Sequence, residues 1–497
     1  MSNEATNTQV AGAAGTVTAE KSLLDQIVEQ GRLGRDAESR TRGKDLVKEF
    51  VAQFLEGSMT LSRDSEAMIN ARIAQIDHLI SLQLNEVMHH PAFQKLESSW
   101  RGLKYLVSRS ETGEMLKIKI FNASKKDLLR DLQRAAEFDQ SAMFKKVYEE
   151  EFGIFGGHPF GALVGDYEFG RTPEDMELLE KVSQVAAAAH APFITGSSAE
   201  MFNLDSFSEL GAPRDLAKVF DTTEYAKWKS FRNSEDSRYV ALALPHILMR
   251  DPYGKKTRPV DEFDYEEGVD GTDHNKYLWG NAAWALASRI TESFAMYNWC
   301  ATIRGVEGGG KVEGLTVHNF TTDDGDIAMK CPTEVAITDR REKELADLGF
   351  VPLVHCKNTD YAAFFSVQSC QRAKQYDTDA ANANARLSTN LSYILACSRF
   401  AHYLKAMMRD KIGSYMTRGE CEAFLNRWIA GYVVNSATAS PSLKAKHPLS
   451  EARIEVTEIP GKPGAYRAVA FLKPHFQLDE LTVSMRLVAD LPQSAAA

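Results

Sequence analysis

The residues that come closest to a nucleotide-binding motif lie in a glycine-rich stretch, RGVEGGGKVEG, from Arg304 to Gly314. Gly305 to Lys311 match the pattern G-x-x-x-x-G-K, in which backbone amides and the lysine bind phosphates. The motif also needs a Ser or Thr that holds Mg²⁺, a strand before it and a helix after it. Here Val312 occupies the hydroxyl position, a helical pattern precedes the glycines and a strand-like pattern follows them. We therefore interpret the stretch as a structural turn and predict no nucleotide site.

The 12 histidines and the acidic residues give no metal-binding pattern. His89 and His90 are adjacent, so on a helix their side chains point about 100° apart. His402 lies in a helical pattern and is predicted to be packed or hydrogen-bonded. The acidic stretch from Asp261 to Asp273 lacks the residue order of a calcium loop and is predicted to be a solvated loop. We predict no metal and no cofactor.

Candidates for acid–base or nucleophilic catalysis are equally sparse. The sequence has no G-x-S-x-G nucleophile elbow. Asp166 ends the strand-like run ALVGDY, where α/β enzymes often place a catalytic acid, but such a carboxylate is more commonly a helix cap or a salt-bridge partner. We predict that the chain is not an enzyme. A soluble cytosolic α/β enzyme with an unrecognised site stays open as the alternative.

The composition excludes two classes of partner. Among 497 residues, 58 Lys and Arg stand against 68 Asp and Glu, and a net charge of -10 without a dense basic run argues against nucleic acid. No stretch approaches the roughly 18 apolar residues of a membrane span, so no membrane insertion is expected. The six cysteines form no C-x-x-C pair and are predicted to be buried thiols. Without a secretory signal pattern, a cytoplasmic protein is expected.

Apolar periodicity and turn signals predict an α/β protein with a mixed sheet flanked by helices. We predict five regions: a flexible arm and linker at 1–60, a helical region with one strand at 61–155, an α/β core at 156–377, a helical segment at 378–440 and C-terminal strands at 441–497. The strand of the second region is EMLKIKIFNAS, residues 114–124. A long apolar strand is predicted in the core at residues 237–248.

A short amphipathic turn lies in the N-terminal arm, where four apolar residues share one face: Leu23, Leu24, Ile27 and Val28. Four apolar residues on a tethered arm have no core of their own, so we expect them to dock on this chain or on a neighbour. The charged stretch from Gly34 to Asp45 is predicted to be a linker.

A single apolar stripe follows one face of a long predicted helix that ends before Pro91. Its residues recur three or four positions apart: Ile69, Ile73, Ile76, Ile80, Leu84 and Val87. Two interpretations stay open. The stripe belongs either to an ordinary core helix or to a helix that pairs with a partner subunit.

The C-terminus consists of three alternating strands with no helix between them. In the last strand four apolar residues alternate with polar ones: Leu481, Val483, Met485 and Leu487. Strands at a chain end leave open edges, which pair with other chains unless they are blocked. These strands therefore predict a subunit that polymerises.

Long runs of the sequence resemble the large subunit of the type VI secretion contractile sheath, the TssC/VipB family. The most specific runs are MFNLDSFSELGAPRDLAKVFDTTEYAKWKSFRNSEDSRYVALALPHILMRDPYG, IRGVEGGGKVEGLTVHNF, PTEVAITDRREKELADLGFVPLVHCKNTDYAAFF and LACSRFAHYLKAMMRDKIGSY. The similarity extends from about Ser22 to about Leu491. It also implies that the glycine-rich stretch belongs to the structural pattern of a family not known to bind nucleotides.

The resemblance implies a phage tail sheath-like fold and a mechanical role. It implies a heterodimer with the small sheath subunit (TssB/VipA type), and copies of that heterodimer stacked in a helical tube in the bacterial cytoplasm. The tube surrounds an inner tube (Hcp type), grows from a baseplate and contracts to propel the inner tube and its effectors out of the cell. An AAA+ ATPase (ClpV type) then dismantles it, mainly through the small subunit.

The resemblance also implies strand exchange, in which chain-terminal strands complete a sheet in an adjacent protomer. In this sequence that role falls to the strands Ala465 to Lys473 and Leu481 to Ala489, with part of the N-terminal arm as a linker. Strand addition uses main-chain hydrogen bonds for affinity and alternate side chains for specificity. Leu481, Val483, Met485 and Leu487 are expected to anchor the exchanged strand.

Overall fold

A computed structural model of the chain describes residues 37–55, 65–261, 263–322, 324–436, 438–462 and 464–477. The chain divides into two compact units, Met1–Leu79 and Ile80–Ala497. The helices, in chain order, are α1 (Ala37–Leu55), α2 (Ser65–Met88), α3 (Pro91–Ser108), α4 (Lys125–Arg134), α5 (Ala142–Phe144, continued by a π-helix over Lys145–Gly153), α6 (Pro173–Ala189), α7 (Leu216–Phe220), α8 (Ala226–Asn233), α9 (Ala283–Tyr297), α10 (Asp339–Asp347), α11 (Asp379–Ser388), α12 (Leu391–Asp410), α13 (Arg418–Ala430) and α14 (Pro441–Lys446).

The central sheet has six strands in the order β1-β2-β3-β9-β10-β6. Strands β1, β2, β3 and β9 are parallel, whereas β10 and β6 join antiparallel, which confirms the predicted mixed sheet. Three two-stranded sheets pair β4 with β5, β7 with β8 and β11 with β12. The strands are β1 (Leu163–Phe169), β2 (Phe193–Ser197), β3 (Val240–Leu244), β4 (Ile247–Leu248), β5 (Trp279–Gly280), β6 (Lys311–Val312), β7 (Asn319–Thr321), β8 (Ile327–Met329), β9 (Phe350–His355), β10 (Ala362–Phe364), β11 (Leu449–Glu458) and β12 (Tyr466–Pro474).

Both faces of the central sheet are buried, because successive residues of a strand contribute to different cores. On one face Val240 and Leu242 of β3 join a core that includes helix α6. On the other face Ala241 of β3 and Ile194 of β2 pack with helix α9. The near-continuous apolar runs in the sequence are typical of such a doubly covered sheet.

Three local predictions were wrong. The run at 237–248 is two strands, β3 and β4, because Pro245 cannot donate a ladder hydrogen bond and separates them. Residues 114–124 begin with a bend and form no strand, because no described segment lies alongside as a hydrogen-bonded partner. The charged stretch predicted as a linker is helical from Ala37, since Arg, Lys and Glu are good helix formers.

The glycine-rich loop is a turn that the chain packs tightly against strand β10. Gly305 donates a 2.7 Å hydrogen bond to the Phe364 carbonyl, and Phe364 donates a 3.0 Å bond to the Gly310 carbonyl. Helix α9 precedes the loop and strand β6 follows it, as the sequence pattern predicted. The Lys311 ammonium pairs with Glu313 and lies 4.4 Å from the centroid of the Tyr361 ring. The lysine of the motif is therefore already paired within the loop.

Replacing Gly310 with alanine is expected to destabilise the protein. An added Cβ would lie 2.6 Å from the Phe364 carbonyl oxygen and 2.7 Å from the Arg304 Cα, so backbone must move. Such overpacking costs about 1–3 kcal/mol, and thermal melting of the purified chain measures it.

The matched control is Gly419→Ala, in helix α13, where an added Cβ meets nothing within 4 Å. That change should be neutral or slightly stabilising, because alanine is favoured over glycine in a helix. Equal melting of the two variants would contradict a packing role for Gly310.

Candidate assembly interface

The C-terminal hairpin, strands β11 and β12, lies on helices α12 and α13. Leu449, Ile454 and Val456 of β11 are buried in a core with Phe400 and Leu425 from these helices. The two strands pair antiparallel from Glu458 and Tyr466 onward, which confirms two of the three predicted C-terminal strands. The hairpin therefore has a fixed inner face, and its two outer edges decide what else can pair with it.

Side chains of helix α13 cover the outer edge of β11. The Asn426 side chain accepts a 2.9 Å hydrogen bond from the Ile454 amide and donates a 2.7 Å bond to the Ile454 carbonyl. The Glu422 carboxylate accepts a 3.0 Å bond from the Val456 amide. Near the start of the strand, Val434 donates a 3.0 Å bond to the Leu449 carbonyl. No further strand can add where these groups already bind the backbone.

Among the described residues, the outer edge of β12 has no hydrogen-bonded neighbour. Ile454 lies opposite Ala470, but its amide donates to Asn426 on the side of β11 that faces away from β12. Ile454 and Ala470 are therefore a non-hydrogen-bonded pair of the antiparallel ladder. The amide and carbonyl of Ala470 therefore point away from β11, and by alternation so do those of Ala468 and Leu472. Within the residues that the structure describes, no group hydrogen-bonds these outward backbone atoms. The hairpin can accept a strand at β12 and not at β11.

The long helix predicted before Pro91 is confirmed as α2, and its apolar stripe is largely exposed. Ile69, Ile73 and Ile76 in the first unit are 44–50% exposed. In the second unit Ile80 and Val87 are also exposed, and Leu84 is half-buried. In this chain the stripe does not form the core face that one interpretation required. Whether a partner covers it stays a prediction.

A second apolar face lies on helix α3 and was not predicted from the sequence. Its inner face buries Gly102, where an added Cβ would lie 2.2 Å from the Trp284 indole nitrogen. Its outer face exposes Leu96, Trp100 and Val107, with Trp100 64% exposed. The spacing of these residues is helical and could have indicated a second face. A helix with one packed and one exposed apolar face has surface left for a partner.

The segment after α3 adds to this surface. Met115, Ile120 and Phe121 are exposed, whereas Ile118 packs partly against the cluster of Leu106, Trp284 and Ala287. Between residues 117 and 122, no backbone hydrogen bond joins the segment to any described part of the chain. The segment thus has a strand-like sequence, but no described strand is hydrogen-bonded to it.

The candidate catalytic residues have structural partners. Asp166 accepts a 3.1 Å hydrogen bond from the Trp284 indole and a second from Ser99, so it joins β1 to α9 and α3. It is therefore neither the helix cap nor the salt-bridge partner that the sequence favoured. His402 is buried and its Nε2 lies 2.8 Å from the Ala189 carbonyl oxygen, which confirms the packed histidine. Burial lowers the pKa of His402 to about 4.

A second charged cluster lies beyond the ends of β1 and β3. The His246 ring pairs with Glu334 through Nδ1 and lies 3.0 Å from Glu168 through Nε2. His274 lies 3.0 Å from the other oxygen of Glu334. Burial opposes the charged imidazole, but the two carboxylates outweigh burial and raise the pKa of His246 to about 10. An imidazole that stays protonated at neutral pH cannot act as a general base.

A buried ion network fixes helix α3 to the loop that follows β4. The Arg250 guanidinium donates bonds of 2.6 and 2.9 Å to the two oxygens of Glu267 and one of 2.8 Å to Glu97 of α3. His89, at the end of α2, lies 3.2 Å from Glu267. Arg250 and Glu267 are almost fully buried. Glu267 belongs to the acidic stretch predicted as a solvated loop, so that prediction was wrong at this residue.

Two sets of predicted site residues lie outside the described residues. They are the four of the exchanging strand, Leu481, Val483, Met485 and Leu487, and the four of the N-terminal arm, Leu23, Leu24, Ile27 and Val28. Over the described ranges, no cluster of three or more His, Cys, Asp or Glu side chains is placed to hold a metal ion. Among the helices of those ranges, none combines the length and apolar character of a membrane crossing.

Comparisons with known proteins identify relatives over nearly the whole chain. Residues 70–371 match the model of the EvpB/VC_A0108 tail sheath N-terminal domain, and residues 380–491 match that of the tail sheath gpW/gp25-like domain. The chain is 48% identical over 485 residues to the type VI secretion system sheath protein TssC1 of Pseudomonas aeruginosa, covering 97% of each chain.

Two solved structures of the anti-feeding prophage are similar to part of the chain. One is its baseplate, with 9% identity and a TM-score of 0.35 over 63% of this chain and 66% of that chain. The other is its helical sheath in the contracted state, with 11% identity and a TM-score of 0.28 over 62% and 66%.

Proposed function

This chain belongs to the EvpB/VC_A0108 (VipB) tail sheath family of type VI secretion systems, and from that membership we propose that it forms a heterodimer with a small sheath subunit (TssB/VipA type) and polymerises into a contractile tube. The observation that supports this best is the hairpin with one edge covered by Asn426 and Glu422 and the other edge open at Ala470. A lone globular protein gains nothing from an open edge, whereas a polymerising subunit uses it.

The strand that pairs with the open edge comes from a neighbouring chain in the tube. A β-strand added at β12 would form main-chain hydrogen bonds with Ala468, Ala470 and Leu472, and its alternate side chains would pack beside them. In the sequence of the predicted strand, Leu481 and Val483 alternate with polar residues, which is the pattern that such an anchor needs. Main-chain pairing of this kind survives rotation of the rigid bodies on either side, as contraction requires.

The remaining partners follow from the role of a sheath. The tube surrounds an inner tube (Hcp type), begins on a baseplate and contracts in the cytoplasm to propel the inner tube and its effectors out of the cell. An AAA+ ATPase (ClpV type) dismantles the contracted sheath, mainly through the small subunit. The chain itself supplies no nucleotide chemistry, and the pairing of Lys311 with Glu313 supports that statement.

Helix α2 and the outer face of α3 are the surfaces that we assign to the small subunit. Ile73, Ile80 and Trp100 are exposed in this chain, and each would remove a large apolar side chain from water on binding. Burying one such side chain contributes about 1.5–3 kcal/mol. An interface with several of them accounts for a stable heterodimer.

The double substitution Ile73→Asp and Ile80→Asp is expected to weaken small-subunit binding at least tenfold. Two carboxylates would replace apolar side chains that the partner desolvates, and a tenfold change needs only about 1.4 kcal/mol. Pull-down of the co-expressed small subunit measures the loss, and thermal melting of the free chain should change little because both residues are exposed.

The matched control places two new carboxylates on the opposite side of the helix. Gln75→Asp and His78→Asp alter exposed polar residues of α2 that point away from the stripe and should leave the pull-down unchanged. Unimpaired binding of the stripe variant would remove α2 from the interface. A large fall in its melting midpoint would instead contradict the exposure of the stripe and assign these residues to the folding of the chain itself.

The chain is proposed to have no catalytic activity. The alternative is a soluble cytosolic α/β enzyme with an unrecognised site. Light scattering of the chain mixed with its small subunit separates the two: large assemblies are expected for a sheath subunit. Homogeneous monomers that bind a small ligand saturably would favour the enzyme and overturn the proposal.

A further inference from the structure

A cysteine, a histidine and two threonines meet where the segment after β8 lies beside the end of β9. The Cys331 sulfur lies 3.3 Å from His355 Nδ1 and 3.2 Å from Thr333 Oγ1. The other ring nitrogen of His355, Nε2, lies 2.8 Å from the Thr359 carbonyl oxygen. A carbonyl only accepts hydrogen bonds, so Nε2 has the proton and Nδ1 of the neutral ring presents its lone pair to the sulfur. His355 is thus held in the tautomer that can take the thiol proton of Cys331.

This arrangement is the one that activates thiols in general. A nucleophile lies within hydrogen-bond reach of a base, and a third group orients that base. Transfer of the proton to Nδ1 leaves a thiolate beside an imidazolium whose other N–H stays on the Thr359 carbonyl. Burial raises the pKa of the Cys331 thiol, but hydrogen bonds with His355 and Thr333 outweigh burial and leave the pKa below its usual value. Hydrogen bonds with Cys331 and Thr359 likewise outweigh burial and raise the pKa of His355.

The other cysteines lack this combination, and the prediction that all six are buried was wrong. Cys370 and Cys421 are buried, whereas Cys331 keeps part of its surface exposed. Burial raises the pKa of the Cys300 and Cys370 thiols to about 12 and that of Cys397 to about 11. Thiols of that kind are almost wholly protonated at neutral pH and react slowly.

Cys356 is the closest internal comparison. Hydrogen bonds with Tyr361 and Thr359 lower the pKa of its thiol, and His355 adds a smaller electrostatic contribution. The ring nitrogen that can accept a proton nevertheless points to Cys331, at 3.3 Å. The two thiols therefore differ in whether a base is in contact with the sulfur.

We propose that Cys331 is a modification site, a nucleophilic thiol that His355 activates toward small soft electrophiles and hydrogen peroxide. With an alkyl halide, the sulfur forms a bond to carbon, the halide leaves and the thiol proton passes through His355 to water. With hydrogen peroxide, the sulfur forms a bond to one oxygen and the O–O bond breaks. The departing hydroxide takes the thiol proton as water, so that Cys331 is oxidised to a sulfenic acid and the peroxide is reduced.

Alkylation of the purified full-length chain by iodoacetamide, followed residue by residue with mass spectrometry from pH 6 to 9, tests the proposal. Cys331 is expected to react fastest of the six cysteines, with its half-maximal rate below the usual thiol pKa of about 8.5. The rate at pH 7 should rise about threefold for each unit by which the pKa falls, because tenfold more thiolate is partly offset by weaker nucleophilicity. With peroxide, dimedone should trap a sulfenic acid at Cys331.

His355→Gln should slow Cys331 at pH 7 at least threefold and move its half-maximal rate upward by about a unit or more. Cys356→Ser should leave the rate at Cys331 unchanged. If His355→Gln unfolds the chain, all six cysteines will label together, and the pH profile of the unsubstituted protein then decides. A half-maximal rate near 8.5 for Cys331, or one that His355→Gln does not move, would overturn the proposal.

Discussion

Replacing Ala470 with proline is expected to abolish sheath tubes in cells that co-express the small subunit, while the soluble heterodimer remains. The Ala470 amide points away from β11, so proline removes one donor from the open edge and no hydrogen bond from the hairpin. Proline is tolerated on an edge strand for this reason, and its ring also obstructs an incoming strand. In the proposed polymer each subunit needs the same contact, so the loss would recur at every junction. Negative-stain electron microscopy counts the tubes, and size-exclusion chromatography measures the heterodimer.

The control for this experiment has a side chain about as large as proline but retains the backbone amide as a hydrogen-bond donor. Ala470→Val leaves the amide in place and is expected to form tubes. The opposite disruption is Val469→Pro, which removes a donor directed toward Glu455 inside the hairpin and should lower the melting midpoint. Tubes in normal number from Ala470→Pro would show that no strand adds at β12. Loss of the heterodimer together with the tubes would assign the edge to the small subunit instead.

The sequence was sufficient for most regular elements of the core. The apolar runs around Val240 and Phe350 are nearly continuous and bounded by turn signals, so their burial in a sheet followed from composition and spacing alone. The same reasoning distinguished the glycine-rich loop from a phosphate-binding loop, because Val312 cannot bind a metal ion and a strand follows the loop where the motif needs a helix. Local pattern determines local structure where the partner of each element lies within the chain.

The errors occurred where the deciding contact is distant in sequence. Residues 114–124 alternate like a strand, yet a strand needs a neighbour, and pattern does not show whether one is present. Glu267 lies in a run of acidic residues typical of a solvated loop, but Arg250, which also pairs with Glu97, holds it in the interior. In the sequence, Asn426 is an ordinary polar residue of a predicted helix. Its role in covering a sheet edge is visible only once β11 is placed beside that helix. Tertiary pairing decided each case.

The substitution Arg250→Met is expected to destabilise the chain by about 3–5 kcal/mol, because it leaves a buried carboxylate without its counter-ion. The Arg250 side chain is 3% exposed and that of Glu267 is 1% exposed, so water cannot replace the lost bonds. The melting midpoint should fall by roughly 3–6 °C, because the unfolding entropy of so large a unit is high. Since the network also joins α3 to the rest of the fold through Glu97, small-subunit binding should weaken in the same variant.

A matched exposed pair shows what burial adds. Lys146 and Glu150 are four residues apart and both more than half exposed, so Lys146→Met should change the stability by less than about 1 kcal/mol. Removing both charges of the buried ion pair provides a second comparison. The double variant Arg250→Met with Glu267→Leu removes both buried charges and should recover part of the lost stability, because well-packed apolar residues can replace a buried ion pair. If Arg250→Met melts like Lys146→Met, the network does not hold α3, and that helix is positioned by other contacts, such as the packing of Gly102 on Trp284 and the Ser99–Asp166 hydrogen bond.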